Sequence, residues 1–244
     1  MANTRDTPGP AIEAKKLHKS FGSNLVLDGL DLSVDWGSFM VIFGSNGSGK
    51  STLVNNLATI STPTSGEVYI AGLDINKRKA HIRKNIGVVM HDLLLYSDLT
   101  AYENLFFYGK MFNLSDIDYK IELTAGITGI EKYLGQKVKH MSHGMQKRVS
   151  IARAIVHDPP ILFLDEPESG LDQEALEGLY QMIRAGQNGK RTILMTTHNV
   201  DRGLQMADRV TILSKGKISY DKKKADIERD VFAREYASLR QNQS

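Results

Sequence analysis

Cysteine is absent from all 244 residues of the sequence. That excludes thiol nucleophiles, cysteine-ligated metals and a disulfide framework, and it fits a reducing compartment. Long apolar runs are missing too. No stretch of 18 consecutive apolar residues occurs, so nothing reads as a membrane span. The opening, Met1 to Pro10, is mostly polar with two prolines and has no apolar stretch. It reads as a disordered tail and not as a secretory signal. An excess of one charge is also missing, because 31 Lys and Arg face 28 Asp and Glu for a formal net charge of +3. So small an excess is ordinary surface solvation, and no nucleic-acid partner is expected from it. The expectation is a cytosolic chain that reaches a membrane only by docking onto something else. What remains is an ordinary globular content, 41% hydrophobic and 24% charged, enough for one large or two small domains with a sizeable core.

The stretch that organises the rest is Gly44-Ser-Asn-Gly-Ser-Gly-Lys-Ser51, which fits G-x-x-x-x-G-K-[ST], the phosphate-cradling P-loop. Phe39 to Phe43 before it reads as a buried strand. Leu53, Val54, Leu57 and Ile60 after it recur at helical spacing. A strand feeding a Gly-rich turn that opens a helix is the context the motif needs. The glycines let the backbone approach anionic oxygens, and the helix start favours negative charge. Residues Gly44, Ser45, Asn46, Gly47, Ser48, Gly49, Lys50, Ser51 and Thr52 are therefore the expected triphosphate site. Lys50 reaches the β- and γ-phosphates, and the Ser51 hydroxyl holds Mg²⁺. An accidental match at four fixed positions arises in roughly one chain of this length in 100.

Around this turn the chain alternates in texture. Ala11 to Leu17 is an expected strand, Phe21-Gly22 a turn, and Leu25 to Val34 a half-buried antiparallel strand with Leu27, Leu30, Leu32 and Val34 inward. Glu67 to Ile70 and Ile86 to Met90 are further short strands. Three helical stretches follow, over Glu103 to Phe112, Asp116 to Ile127 and Ile130 to Leu134, and they read as an all-helical insertion. Met141 to Met145 then leads into a helix with Val149, Ala152, Ile155 and Val156 on one side. Pro160 to Asp165 is nearly all apolar, as inside a parallel sheet covered on both faces. A helix with Leu176, Leu179 and Ile183 as its stripe, strands over Thr192 to Thr197 and Val210 to Leu213, and an amphipathic tail from Ala225 complete the pattern. In that tail Ile227, Val231, Phe232, Tyr236 and Leu239 form the apolar side, and Lys222-Lys223-Lys224 before it reads as a solvated turn. Alternating strands and helices predict an α/β fold with a parallel sheet. No internal repeat is found.

Leu164-Asp165-Glu166-Pro167 ends its strand with two adjacent carboxylates. Alone, such a pair is usually a helix-cap cluster. Downstream of a P-loop, Asp165 is placed to hold Mg²⁺ through water, and Glu166 to orient or deprotonate an attacking water.

Five further pieces fall in one order. Phe21 precedes the P-loop, and Met141-Ser-His-Gly-Met145 follows the helical insertion. Then come Asp165-Glu166, Ser169-Gly-Leu-Asp172 and His198. Over about Ala11 to Lys217 the chain resembles the nucleotide-binding subunit of an ABC transporter. In that family Met141 to Met145 stands at the Leu-Ser-Gly-Gly-Gln signature, Ser169 to Asp172 at the D-loop and His198 at the switch histidine. The resemblance implies a P-loop NTPase with a RecA-like parallel sheet core, an antiparallel β subdomain and a helical ABC-specific subdomain. It divides the chain into a tail (1–10), an ATP-binding core (11–90 and 157–217), a helical subdomain carrying the signature (91–156) and a tail helix (218–244).

The resemblance also implies roles. Phe21 stacks on adenine. Ser142 and Gly144 start a helix that faces the γ-phosphate held by a second protomer, which makes a head-to-tail dimer with two ATP molecules at its interface. Asp172 touches the partner's P-loop and couples the sites. His198 bonds the γ-phosphate and acts with Lys50 and Glu166 in catalysis. The expected cofactors are ATP and Mg²⁺. The expected partners are separate integral membrane transporter subunits and a second copy or a related ATPase, with the chain peripheral on the inner face of the cell membrane.

The sequence departs from the family at informative places. His91 stands where a glutamine usually links Mg²⁺ to the membrane subunit, and imidazole is shorter and titratable. His143 replaces a signature glycine and Met145 its glutamine, while Glu168 replaces a small residue without an evident reason. Activity is expected to survive these changes. Tyr96, Tyr102, Leu105, Phe106, Phe107 and Tyr108 are expected to be mostly core, a few lining a groove for a membrane subunit's coupling helix. His91, Leu99 to Leu105 and the Ser142 to Gln146 run look most like the ATPase of the haem exporter in cytochrome c maturation. Multidrug and polysaccharide exporter ATPases resemble it nearly as well. A soluble ABC protein acting on ribosomes or nucleic acid is the alternative from another class. A P-loop kinase or GTPase leaves the signature and D-loop without a reason.

Overall fold

Alternation of apolar and polar residues shapes the first quarter of the chain. In the computed structural model, which describes residues 9–168 and 191–241, Ile12–Phe21 (β1) and Asn24–Val34 (β2) pair antiparallel. Leu27, Leu30, Leu32 and Val34 are buried as their spacing requires. The odd step from Leu27 to Leu30 has a cause. Gly29 sits at φ +65°, and the pairing slips from Leu17↔Leu30 to Lys19↔Leu27. One extra residue on β2 keeps both leucines on the inner face, as a β-bulge does. Phe39–Phe43 (β3) is buried throughout. Ser65–Ile70 (β4) and Leu73–Asp74 (β5) complete an antiparallel sheet of order β2-β1-β4-β5.

The second sheet collects β3 with Ile86–Val89 (β6), Ile161–Asp165 (β7), Thr192–Thr197 (β8), Arg209–Ser214 (β9) and Lys217–Lys223 (β10). Its order is β10-β9-β3-β8-β7-β6. All neighbours are parallel except the β9–β10 hairpin. The α-helices among the described residues, in chain order, are Lys50–Leu57 (α1), Lys79–Lys84 (α2), Ala101–Met111 (α3), Ile117–Thr128 (α4), His143–Ile155 (α5), Val200–Met206 (α6) and Arg229–Gln241 (α7). The α/β class follows directly from this arrangement.

Three apolar cores result among the described residues. Between the sheets, Ile12, Leu17, Leu30, Ile42, Leu53, Leu57 and Phe163 pack together with α1 in the same core. On the opposite face of the larger sheet, Val41, Phe43, Leu162, Leu164 and Met195 pack with Ile151, Leu204, Phe232 and Tyr236 of α5, α6 and α7. The helical region has its own core of Ala101, Leu105, Ile117, Ile121, Ala125 and Val149. Each fully buried aliphatic side chain contributes about 1.5–3 kcal/mol relative to exposure, so every layer is held by its own apolar face. No helix among the described residues is long and apolar enough to cross a membrane.

Several elements differ from the expected ones. α1 stops at Leu57, and Ile60 is 54% exposed, because Thr59 turns to φ +61° and the irregular stretch Ser61 to Thr64 follows, with β4 starting at Ser65 inside the expected turn cluster. The stretch from Ile130 to Leu134 forms only a 3₁₀ turn over Glu131–Tyr133. Gly129, left-handed at φ +67°, ends α4 and leaves too few residues for another helix. Lys222 and Lys223 are not a turn. They pair with Val210 and Arg209 on an exposed edge strand, where lysine is a usual guard against further pairing. The tail helix starts at Arg229, after a 3₁₀ turn over Lys224–Asp226, and Val231 is exposed. Of the aromatic run, Leu105 is buried, but Tyr96, Tyr102 and Phe107 are exposed. The stripe Leu176, Leu179 and Ile183 lies outside the described residues.

Candidate functional site

The phosphate turn is built where β3 ends against α1. A Cβ on Gly44 would meet Ser48 Oγ at 2.4 Å and the Leu213 carbonyl at 2.7 Å, so only glycine fits. Gly49, the residue before α1, holds φ +106°, a conformation that glycine adopts without a steric penalty. Asn46 and Gly47 are exposed at the tip, while Gly44, Ser48, Gly49 and Lys50 are buried. Lys50 Nζ donates to the carbonyls of Gly44 (2.8 Å) and Ser45 (3.1 Å) and lies 3.5 Å from Glu166 Oε1. The ammonium thus curls back over its own turn. Ser48 Oγ is buried and has no hydrogen-bond partner. A buried orphan hydroxyl beside a left-handed glycine at a helix start is the signature of a cradle built for an anionic ligand.

Across the cleft, β7 delivers the two carboxylates. Asp165 is buried and accepts from Thr196 Oγ1 at 2.6 Å. Glu166 leaves the strand at φ +46°, an uncommon conformation for a side-chain-bearing residue and one held only by strong surroundings. Here the surroundings are the carbonyl and hydroxyl of Thr196, both 3.2 Å from the Glu166 N–H. The turn aims the Glu166 carboxylate between Lys50 Nζ, 3.5 Å from one oxygen, and His198 Nδ1, 3.7 Å from the other. His198 follows β8 and its side chain is 58% exposed. The two strands are locked at this point by Thr197 as well. Its hydroxyl donates to Glu168 and accepts from the Asn199 N–H at 2.9 Å.

A cleft of about 440 Å³ joins these groups, lined by Ser45, Asn46, Gly47, Gly49, Lys50, Ser51, Thr52, His91, Asp165 and Glu166, with Asn24 and Val26. Asn24 and Val26 were not anticipated. They reach the turn from the β1–β2 hairpin, and no local pattern in the sequence marks them. Phe21 sits at the end of the same hairpin, 56% exposed, with Lys19 Nζ 4.8 Å above its ring. It does not line the cleft itself. Ser142 and Gly144 do not line it either. Ser142 caps α5, its hydroxyl accepting from the Met145 N–H at 3.3 Å, and both Ser142 and His143 face solvent. Asp172 lies outside the described residues.

The inner side of α5 ties the signature turn to the His91 loop. Lys147 Nζ donates to the Met90 carbonyl (3.1 Å), Ser150 Oγ to that of Leu93 (2.8 Å) and Arg153 Nη2 to that of Val88 (2.5 Å). Burial pulls the Lys147 ammonium below its ordinary pKa, while the charges of Asp165, Glu168 and Glu166 oppose that shift.

A family model described as ABC transporter matches residues 27–169, which include the turn, both carboxylates and the Ser142 helix start. The chain belongs to the ABC transporter family. Nod factor export ATP-binding protein I of Rhizobium meliloti is 34% identical over 212 residues, 86% of this chain. The matched stretch spans 63% of that relative's length. Among solved structures, an ATP-binding subunit of an ABC transporter superposes with a TM-score of 0.87 at 25% identity, covering 94% of this chain and 99% of that one. A dimeric ATP-binding cassette in a post-hydrolysis state with ADP and Pi bound superposes at 0.80 with 28% identity, covering 87% of this chain and 98% of that one. This chain therefore carries the family's ATP-binding ATPase domain.

The ABC cassette's donor set also bears on Mg²⁺. No group of three or more acidic or histidine side chains able to hold a metal exists among the described residues. Mg²⁺ is typically bound by one or two carboxylates together with substrate phosphates. Ser51, Asp165 and His91 on one cleft wall system offer that partial set. The residues fit an ion that arrives with the nucleotide.

Proposed function

We propose that this chain hydrolyses ATP as the energy-coupling subunit of an ABC exporter, working as a head-to-tail dimer docked on separate integral membrane subunits. The observation that carries this reading is the placement of Glu166, turned out of β7 at φ +46° so that its carboxylate lies between Lys50 and His198. The Gly44 to Thr52 turn binds the triphosphate. Lys50 leaves its own carbonyls for the β- and γ-phosphates. Glu166 holds the attacking water and takes its proton, and His198 positions the γ-phosphate. Ser51, Asp165 and His91 would hold Mg²⁺, and the ion when bound would supply charge neutralisation for the phosphates. Ser142, exposed, and Gly144, half-buried, both away from the cleft of their own chain, supply the helix start that completes a partner's site. Asp172 couples the two sites, and Phe21 stacks on the adenine.

The export direction is supported by the Nod factor relative. Docking is supported by the exposed aromatic and aliphatic group Leu94, Tyr96, Tyr102, Phe107 and Met111 on the helical region. Apolar groups of this kind mark interaction sites. Their neighbour, the His91 loop, is anchored to α5, so a push on the membrane side is transmitted to the signature turn. Haem, in cytochrome c maturation, is the cargo suggested by His91, Leu99 to Leu105 and Ser142 to Gln146. Those residues sit in the ATPase and its helical region, and the choice of cargo belongs to the membrane subunits. The test is phosphate release from ATP by the purified chain, together with identification of the integral protein that co-purifies from solubilised membranes. A wild-type chain that binds ATP but releases no phosphate, alone or with its membrane partner, overturns the reading.

A further inference from the structure

The C-terminal helix reaches the phosphate turn. Tyr236 of α7 is buried, and its hydroxyl donates to the Gly44 carbonyl at 3.3 Å. That carbonyl is also the 2.8 Å acceptor of Lys50 Nζ. Gly44 is the first residue of the turn and the one with least room to move. The helix is held there by rings. Phe43, immediately before Gly44, has Phe232 at 5.2 Å and Tyr236 at 5.7 Å between centroids. Phe232 in turn meets Tyr220 of β10 at 5.4 Å. A Cβ on Gly203 of α6 would lie 2.2 Å from Phe43 Cζ, so the ring is clamped from that side as well.

We infer that Tyr236 is a positioning residue for nucleotide binding, a second donor that keeps the Gly44 carbonyl fixed and satisfied when Lys50 turns to the phosphates. A buried carbonyl that loses its donor is costly. Lys50 shares its ammonium between two turn carbonyls, and moving toward a triphosphate loosens that arrangement. Tyr236 carries no charge and does not contact the cleft. Its bond to Gly44 is therefore available with and without nucleotide. Because α7 supplies this donor and packs on Phe43, displacing it would loosen the turn.

This inference rests on the Gly44 to Thr52 turn being the ATP site. The experiment compares wild type, Lys50→Ala and Tyr236→Phe in the full chain by calorimetry with Mg-ATP, by steady-state phosphate release and by amide exchange. Tyr236→Phe keeps the ring contacts and removes one hydrogen bond, so its melting temperature stays close to wild type. The Kd and KM for ATP rise about fivefold with kcat unchanged, and amides of residues 44–49 exchange faster. Equal Kd and equal protection in Tyr236→Phe, with tight ATP binding by wild type, overturns the role of Tyr236 alone. Absence of ATP binding by wild type, or its persistence unchanged in Lys50→Ala, removes the site itself.

Discussion

The cleft and the signature turn are opposite kinds of surface. At the cleft, Lys50, Asp165 and Glu166 each have partners within the chain, and the backbone is held in unusual conformations by Thr196 and Gly49. At the signature turn, the Ser142 hydroxyl bonds to its own helix, and the residue faces solvent with His143. The first is a cleft edge finished inside one molecule. The second has an α-helix start, which attracts anions, but no ligand wall of its own. In the proposed dimer, nucleotide would be fully enclosed only when the two surfaces meet, and each protomer would thereby sense its partner.

The largest expected effect lies on the finished side. Lys50→Ala removes the only buried cation that touches the turn carbonyls among the described residues, and phosphate release should fall about 100- to 1,000-fold. Glu166→Gln keeps the shape and loses the base, so turnover drops about 100-fold or more while ATP affinity persists. A Glu166→Gln chain with near-normal turnover would move the base elsewhere. On the unfinished side, Ser142→Ala should lower turnover about tenfold, by the loss of a helix cap and of an anion contact. Its Kd for ATP as a monomer should match wild type. A weaker monomer Kd would place Ser142 in its own chain's site and collapse the distinction.

Two stability measurements sharpen it further. Thr196→Val leaves the buried Asp165 carboxylate without its 2.6 Å hydroxyl, and urea unfolding should show a loss of about 1–3 kcal/mol. The anchor between the helical region and the sheet is smaller and depends on pH. His157 stacks on Phe112 at 3.8 Å and bonds the Ile86 carbonyl at 3.0 Å. Burial lowers its pKa from 6.5 to about 4. The unfolded chain therefore binds a proton that the folded one refuses between those values, and stability falls as pH drops from about 6.5 toward 4. Replacing His157 by Phe should flatten that part of the curve. An unchanged slope would show that His157 titrates normally.

Much of this was legible in the sequence, because the relevant signals are local. The glycine turn, the apolar strand before Asp165 and the Ser142 cap each announce themselves within a few residues, and the cleft gathers Lys50, Ser51, His91, Asp165 and Glu166 as their motifs suggested. What escaped is set by contacts across long separations. Asn24 and Val26 enter the cleft from a hairpin, and Tyr236 meets Gly44 across 192 positions. Periodicity places a residue on a face but does not say which loop that face will touch. Ile60 failed for a different reason. Its spacing is helical, yet Thr59 at φ +61° ends the helix first. The aromatic run failed because composition cannot separate core from exposed surface. Leu105 went inside, while Tyr96 and Phe107 pack on each other at 5.1 Å and stay exposed.

The most direct test of the paired-surface account is the mass of Glu166→Gln in solution by light scattering, with ATP and with ADP. The account predicts that ATP doubles the mass, that ADP does not, and that adding Ser142→Ala to Glu166→Gln returns the chain to a monomer in saturating ATP. A Glu166→Gln chain that binds ATP and stays a monomer, or a dimer indifferent to Ser142, would contradict it.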